Sequence, residues 1–381
     1  MKTRFELHKT LTSLIFILSL SGALAACSQG EKPSDQTRAA NEIDATPQPK
    51  LFEKGNGSRT HLSEQEKALL AQGHKLPKLS LDNRRDLLRR LDFEISRATR
   101  DENFNKARLY AETALEVKTS ISLENPNSFH GKIGIILGSN EFGNIERAEG
   151  NAERARDIYL ASLESLKNTP PPPESKSLWL QLITSRYKDI GNLEAELKNY
   201  TAAETAYKKY LEYVVKNPSN EDYFSDQADG HSYLAELSFQ QENWADAVKH
   251  YGQSVKLRQK LIDQRKVQSN LRDELNLWKS QANAHTRSGY SSYLLSDDRK
   301  AETSFAKAIS ARQSAIKAHL ARPAEELELA VAYYNAAKYT DGKDDVYFQS
   351  ASEIFDRLEK TMTIPTWYEA IRTDFSVLMK P

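Results

Sequence analysis

A small residue, an alanine twelve places on and an aromatic ring four places after that recur four times through the middle of this chain. The small residues are Gly143, Gly191, Ala235 and Gly289; the alanines are Ala155, Ala203, Ala247 and Ala301; the rings are Tyr159, Tyr207, Tyr251 and Phe305. Three places further stand Ser162, Tyr210, Ser254 and Ala308. Weaker copies flank these, with Phe104, Ala107, Ala111 and Ala114 before and Phe348, Ala351, Phe355 and Leu358 after. The key alanines are therefore 48, 48, 44, 54 and 50 residues apart. A period of roughly 20–50 residues marks a repeat architecture, in which no unit buries its apolar face alone and neighbours must stack. Leu87, Leu88, Leu91 and Ile95 recur at steps of three and four, as one face of a helix requires. Runs of period two are lacking, so the body from Leu81 onward reads as all-α.

The spacing resembles the tetratricopeptide (TPR) repeat, whose eighth, twentieth, twenty-fourth and twenty-seventh positions carry the small, alanine, aromatic and small residues. The resemblance covers about Leu81 to Lys360. It implies a right-handed α-solenoid of about six TPR-like helical hairpins. The standard unit has about 34 residues, so the longer steps here predict longer helices and longer loops between hairpins. The stretch Val255–Gly289 is similar to the long-repeat variety. Tyr210 departs from the pattern by placing a bulky ring at a close contact, and a splayed junction is expected there. Pro126, Pro170 to Pro173, Pro218 and Pro323 all fall between hairpins, where proline ends one helix and starts another. The four consecutive prolines read either as a stiff spacer or as a docking motif for an aromatic groove.

The amino terminus carries a separate signal. Lys2, Arg4 and Lys9 precede an apolar run from Leu11 to Leu20, and Leu24-Ala25-Ala26-Cys27 follows. This resembles the bacterial lipoprotein signal and its lipobox. The resemblance implies cleavage before Cys27, lipid on that cysteine and, with Ser28 next, export to the outer membrane, facing the periplasm. The apolar run is shorter than the roughly 20 residues a spanning helix needs, and acyl chains would supply the anchor instead. The expected order is a signal peptide over 1–26, a lipidated cysteine and flexible tether over 27–60, and a short linker with a helix near Ser63–Gln72 over 61–80. Repeats follow over 81–360, then a C-terminal capping helix over 361–381.

Charge excludes one partner class. The chain carries 53 basic and 53 acidic residues, of which the signal takes three and one. The near-neutral remainder gives no reason to expect nucleic acid. The single cysteine leaves no intramolecular disulfide.

No catalytic constellation is present. The metal-helix motif His-Glu-x-x-His, the Gly-x-Ser-x-Gly elbow and the phosphate-binding Gly-x-x-x-x-Gly-Lys are all lacking. No metal and no cofactor are expected. His231 and His285 share the fourth position of their first helices, and packing is the expected role of both. Gly131, Gly134 and Gly138 fall at helical steps, which suits either close approach of a neighbouring helix or backbone offered to a ligand.

In the TPR family the first helix of each hairpin lines a groove. The resemblance places Asn140, Asn144 and Arg147 there from the second hairpin, and Lys188 and Asn192 from the third. Thr286, Tyr290 and Tyr293 come from the fifth. Lys188 with Asn192 matches half of the family's carboxylate clamp, but Tyr233 stands where the clamp would want asparagine. The expectation is a non-catalytic, membrane-anchored scaffold or adaptor that binds another envelope protein or a peptide. A peptide- or glycan-binding sensory module is the alternative, and an enzyme is the least favoured reading. The last hairpin, with Trp367, Tyr368 and Phe375 beyond it, also suits self-association into a homo-oligomer.

Overall fold

The computed structural model describes residues 61–71, 79–220, 222–265, 271–319, 322–340, 345–363 and 371. The signal, Cys27, the tether, and Trp367, Tyr368 and Phe375 lie outside them. The described residues are all-α, with thirteen α-helices and no strand. None of these helices is long and apolar enough to cross a membrane.

The chain divides into two compact units, one spanning Pro49–Ser291 and the other holding Ser292–Pro381. In the first, α1 covers Glu64–Ala71, and four hairpins follow. These pair α2 (Leu81–Arg100) with α3 (Phe104–Glu124), α4 (Phe129–Ala148) with α5 (Ala152–Lys167), α6 (Lys176–Glu196) with α7 (Tyr200–Val215), and α8 (Tyr223–Gln240) with α9 (Trp244–Arg265). All seven consecutive pairs among these eight helices pack together, which is the contact pattern of a solenoid. Helix α10 (Leu271–Leu294) continues the order. In the second unit α11 (Asp298–His319) packs on α12 (Pro323–Tyr339), and α12 on α13 (Asp345–Leu358).

The repeat register is visible as packing. All six key alanines are fully buried, and so, nearly, are Tyr159, Tyr207, Tyr251, Phe305 and Phe355. Each such ring contributes about 2–3 kcal/mol by leaving water. The glycine of the first helix exists to admit the ring. A Cβ built on Gly143 would stand 2.5 Å from Tyr159 Cε1, and one on Gly191 would stand 2.5 Å from Tyr207 Cε1.

The turn inside the hairpin is the most regular part of the chain. In five hairpins three residues join the two helices, and the middle one is left-handed: Glu102 (φ 56°), Gly150 (90°), Lys198 (62°), Glu242 (59°) and Ser296 (60°). The next N–H, on Asn103, Asn151, Asn199, Asn243 or Asp297, donates to the carbonyl five residues back at 2.8–2.9 Å. This satisfies carbonyls that a helix end leaves open. The same residue then serves the second helix. The Oδ1 atoms of Asn103, Asn243 and Asp297 accept backbone N–H groups three residues on, at 3.2, 3.4 and 3.2 Å.

Tyr210 does not splay its junction. Its ring is buried and its hydroxyl donates to the Asp226 carbonyl at 3.0 Å. Gly230 on α8 makes the room, since a Cβ there would lie 2.4 Å from Leu211 Cδ2 and 2.9 Å from Tyr210 Cδ1. The excess volume on one helix is removed from the next.

Two of the clustered glycines on α4 are packing positions. A Cβ on Gly131 would meet Ser122 Oγ at 2.8 Å, and one on Gly138 would meet Leu115 Cδ1 at 3.0 Å, both on α3, whereas Gly134 faces open space. Of the proline run, Pro173 opens a short 3-10 turn, Pro173–Ser175, directly before α6.

Helix α1 is pinned by charge as well as by Leu62 and Leu70. Glu66 is buried and accepts from Arg90 Nη1 with both oxygens at 2.9 Å. Ser63 and Glu66 also form a reciprocal cap, Ser63 N–H donating to Glu66 Oε2 at 2.7 Å and Glu66 N–H to Ser63 Oγ at 3.2 Å.

Candidate docking face on the first helices

The tyrosine of each second helix reaches back to a polar residue of the first. Tyr159 donates to Asn144 Oδ1 at 2.5 Å, Tyr207 to Asn192 Oδ1 at 2.9 Å and Tyr251 to Glu236 Oε2 at 2.8 Å. All three pairs are fifteen residues apart. Asn144 and Asn192 thus carry an internal hydrogen bond on their oxygen. Asn144 is exposed; Asn192 is half-buried. Arg147 crosses from α4 to pair with Glu196 at the end of α6.

Asn140 stands one helical turn before Asn144. It is only 3% exposed, and neither its amide nitrogen nor its oxygen has a partner among the described residues. Ser162, one turn after Tyr159, is 5% exposed with an equally unpaired hydroxyl. Arg186 on α6 lies over the Tyr159 ring at 4.7 Å and pairs with Asp189 at 2.8 Å, but its Nη1 has no partner among the described residues. A buried polar group left without a bond costs about 1–3 kcal/mol. Three such groups on α4, α5 and α6 form a surplus of donors and acceptors.

Two hairpins further on, the same register is satisfied. Ser232 and Ser254, the counterparts of Asn140 and Ser162, share a hydrogen bond of 2.8 Å.

Around Lys188 the field is different. Burial first, then Asp222 and Asp229, push the Asp226 carboxyl up to about 6, while Lys188 acts to lower it. Asp229 is also raised, chiefly by burial, although Arg258 at 2.8 Å and Lys188 oppose this. Lys188 therefore faces carboxylates of its own chain. Tyr233 stacks on Tyr207 at 5.3 Å and meets Tyr210 edge-on at 5.8 Å.

Thr286 turns its hydroxyl onto the Ala282 carbonyl at 3.0 Å. Tyr290 is buried against Phe239 at 5.7 Å. In the other unit Tyr293 packs on Tyr339 at 5.2 Å. No group of three or more His, Cys, Asp or Glu among the described residues could hold a metal ion.

Sequence reasoning did not single out Ser162, Arg186, Asp226 or Asp229 as site residues. Ser162 was visible as a repeat position but read only for its size. The unpaired state of Asn140 depends on what faces it from α5, which spacing does not state. The turn residues were legible and overlooked: Asn103, Asn151, Asn199, Asn243 and Asp297 each precede a key alanine by four places.

A stack of hairpins with this register is a helical-repeat protein. Residues 228–265, almost the whole of the fourth hairpin, match the family model described as SHNi-TPR. Among solved structures the fold is similar to the apo form of RapI, at 13% identity over 83% of this chain and 81% of RapI, with a TM-score of 0.50. It is also similar to the nuclear import adaptor Nro1 of S. pombe, at 13% identity over 76% of this chain and 99% of Nro1, again with a TM-score of 0.50. No curated protein matches the chain. One hairpin thus matches a TPR-type family model, and the other hairpins repeat its register.

Proposed function

We propose that this chain is a non-catalytic adaptor held on the bacterial outer membrane by lipid at Cys27, facing the periplasm. Its first-helix face holds an extended segment of another envelope protein. The observation that carries the reading is the unpaired Asn140 amide on α4, with further unpaired polar atoms on Ser162 of α5 and Arg186 of α6. A peptide main chain offers one donor and one acceptor per residue, the complement of this carboxamide, which is buried and would turn outward to meet it. The exposed Asn144 and the half-exposed Arg147, one and two turns on, mark the side from which a segment would approach. The lipobox supports the anchor, and the repeat fold suits extended binding surfaces.

The test is crosslinking in cells followed by mass spectrometry of what copurifies, compared between wild type and Asn140→Leu. One dominant envelope protein, lost in the variant, is the expected result. Retention of that partner in Asn140→Leu would overturn this face as the docking site. No partner at all, with a thermal shift on adding a peptide or glycan, would favour the sensory-module reading. For the anchor, Cys27→Ser should move the protein out of the membrane fraction; unchanged retention sinks the lipid assignment.

A further inference from the structure

The fourth hairpin brings two imidazoles together. His231 on α8 and His250 on α9 place their Nδ1 atoms 3.1 Å apart, with rings inclined at 29° and centroids 5.4 Å apart. In a neutral pair one Nδ1–H donates to the other nitrogen, and the proton occupies the space between. A metal ion can take the proton's place. Two nitrogens each about 2.0–2.1 Å from one ion stand about 2.9 Å apart at a right angle and about 3.3 Å apart at the tetrahedral angle. The observed separation falls between, so both ligands reach one ion with little movement.

The protonation state is also right. Burial and mutual repulsion hold His231 below the usual histidine range, and burial with Lys249 does the same for His250. Both shifts favour the neutral imidazole, which is the form that binds metal. Both are half-buried and within reach of solvent. Lys208, Lys249, Glu204 and Asp246 supply two charges of each sign around His250. Attraction by surplus carboxylate is not what would hold an ion; imidazole coordination is. The same register in the fifth hairpin pairs His285 with Ser304, and in the second Ser139 with Ile158, so the pair is peculiar to one hairpin.

We propose that His231 and His250 form a two-imidazole site for a divalent late transition-metal ion, Zn²⁺ or Cu²⁺, whose remaining positions are completed by water. Imidazole suits both ions, and the Irving–Williams order places Cu²⁺ as the tighter. The site belongs to the interior of the α8–α9 hairpin and does not depend on the docking face.

The experiment is calorimetric titration of the purified, untagged full chain with ZnCl₂ and with CuCl₂ at pH 7.5. Wild type is compared with His231→Gln and His250→Gln, which keep a polar side chain in place. The expected result is one site per chain, weakened at least tenfold in either variant, and a melting temperature raised by the metal in wild type alone. Equal affinity and stoichiometry in all three proteins would overturn the proposal. Should a variant fold poorly, the electron spin resonance spectrum of Cu²⁺ bound to wild type decides. Coupling to two imidazole nitrogens supports the site, and coupling to one or none removes it.

Discussion

The second and fourth hairpins have the same register and opposite interiors. In both, an alanine and a tyrosine of the second helix are buried and the tyrosine bonds back to the first helix. In the fourth, Ser232 bonds Ser254 and Arg258 bonds Asp229, with Arg258 Nε alone left without a partner among these groups. In the second, Asn140 and Ser162 stay open. The residues that make a hairpin stack are thus separable from those that give it something to hold.

The comparison breaks most completely if the register is wrong. Ala203 is fully buried where two helices meet, so Ala203→Arg should destabilise the first unit by about 4 kcal/mol. An unchanged midpoint in urea would contradict the alignment. Next comes the glycine under the ring. Gly143→Ala must push Tyr159 aside and should cost about 2 kcal/mol, while Ala235→Gly in the fourth hairpin should cost about 1 kcal/mol through helix propensity alone. Equal losses would show that ring clearance is not the reason for the glycine.

The polar level sharpens the contrast. Ser254→Ala leaves Ser232 only the 3.4 Å bond from Arg258 Nη2 and should cost about 1 kcal/mol, whereas Ser162→Ala removes a group with nothing to lose and should be neutral or stabilising. Thermal melts of the two variants side by side read this directly.

The smallest effect depends on pH. Asp226 has a folded value of about 6 against an ordinary 3.8, so the folded state holds more protons than the unfolded state between these values. Stability from this group is present at low pH and lost as pH rises through about 6. Asp226→Asn should therefore stabilise at pH 8 by about 1 kcal/mol, after allowing for its partial exposure, and by little at pH 5. A gain independent of pH would mean that charge is not the cause.

How much was legible follows from how far each feature reaches. The helices and the register depend on spacing within one hairpin, and alanines 107 to 351 display it. The bond from each tyrosine to a residue fifteen places earlier was equally periodic, yet spacing alone cannot tell a packed ring from a donating one. Tyr210 shows the limit more clearly. Its misfit was evident in sequence, but its remedy, Gly230, lies on the following hairpin and looks like an ordinary helical glycine. The pairing of His231 with His250 likewise requires knowing which faces of α8 and α9 meet.

The hairpin joints divide the chain's tolerance for insertions. One residue added to a helix turns everything beyond it by about 100°. One residue inserted in the first turn of α5 or α7 would therefore swing alanine and tyrosine together off the glycine they serve. The joints between hairpins have no such gear to keep in mesh. The steps of 44 to 54 residues differ mainly through helix length instead: the longest contains α9 of 22 residues and α10 of 24, the shortest α7 of 16 and α8 of 18.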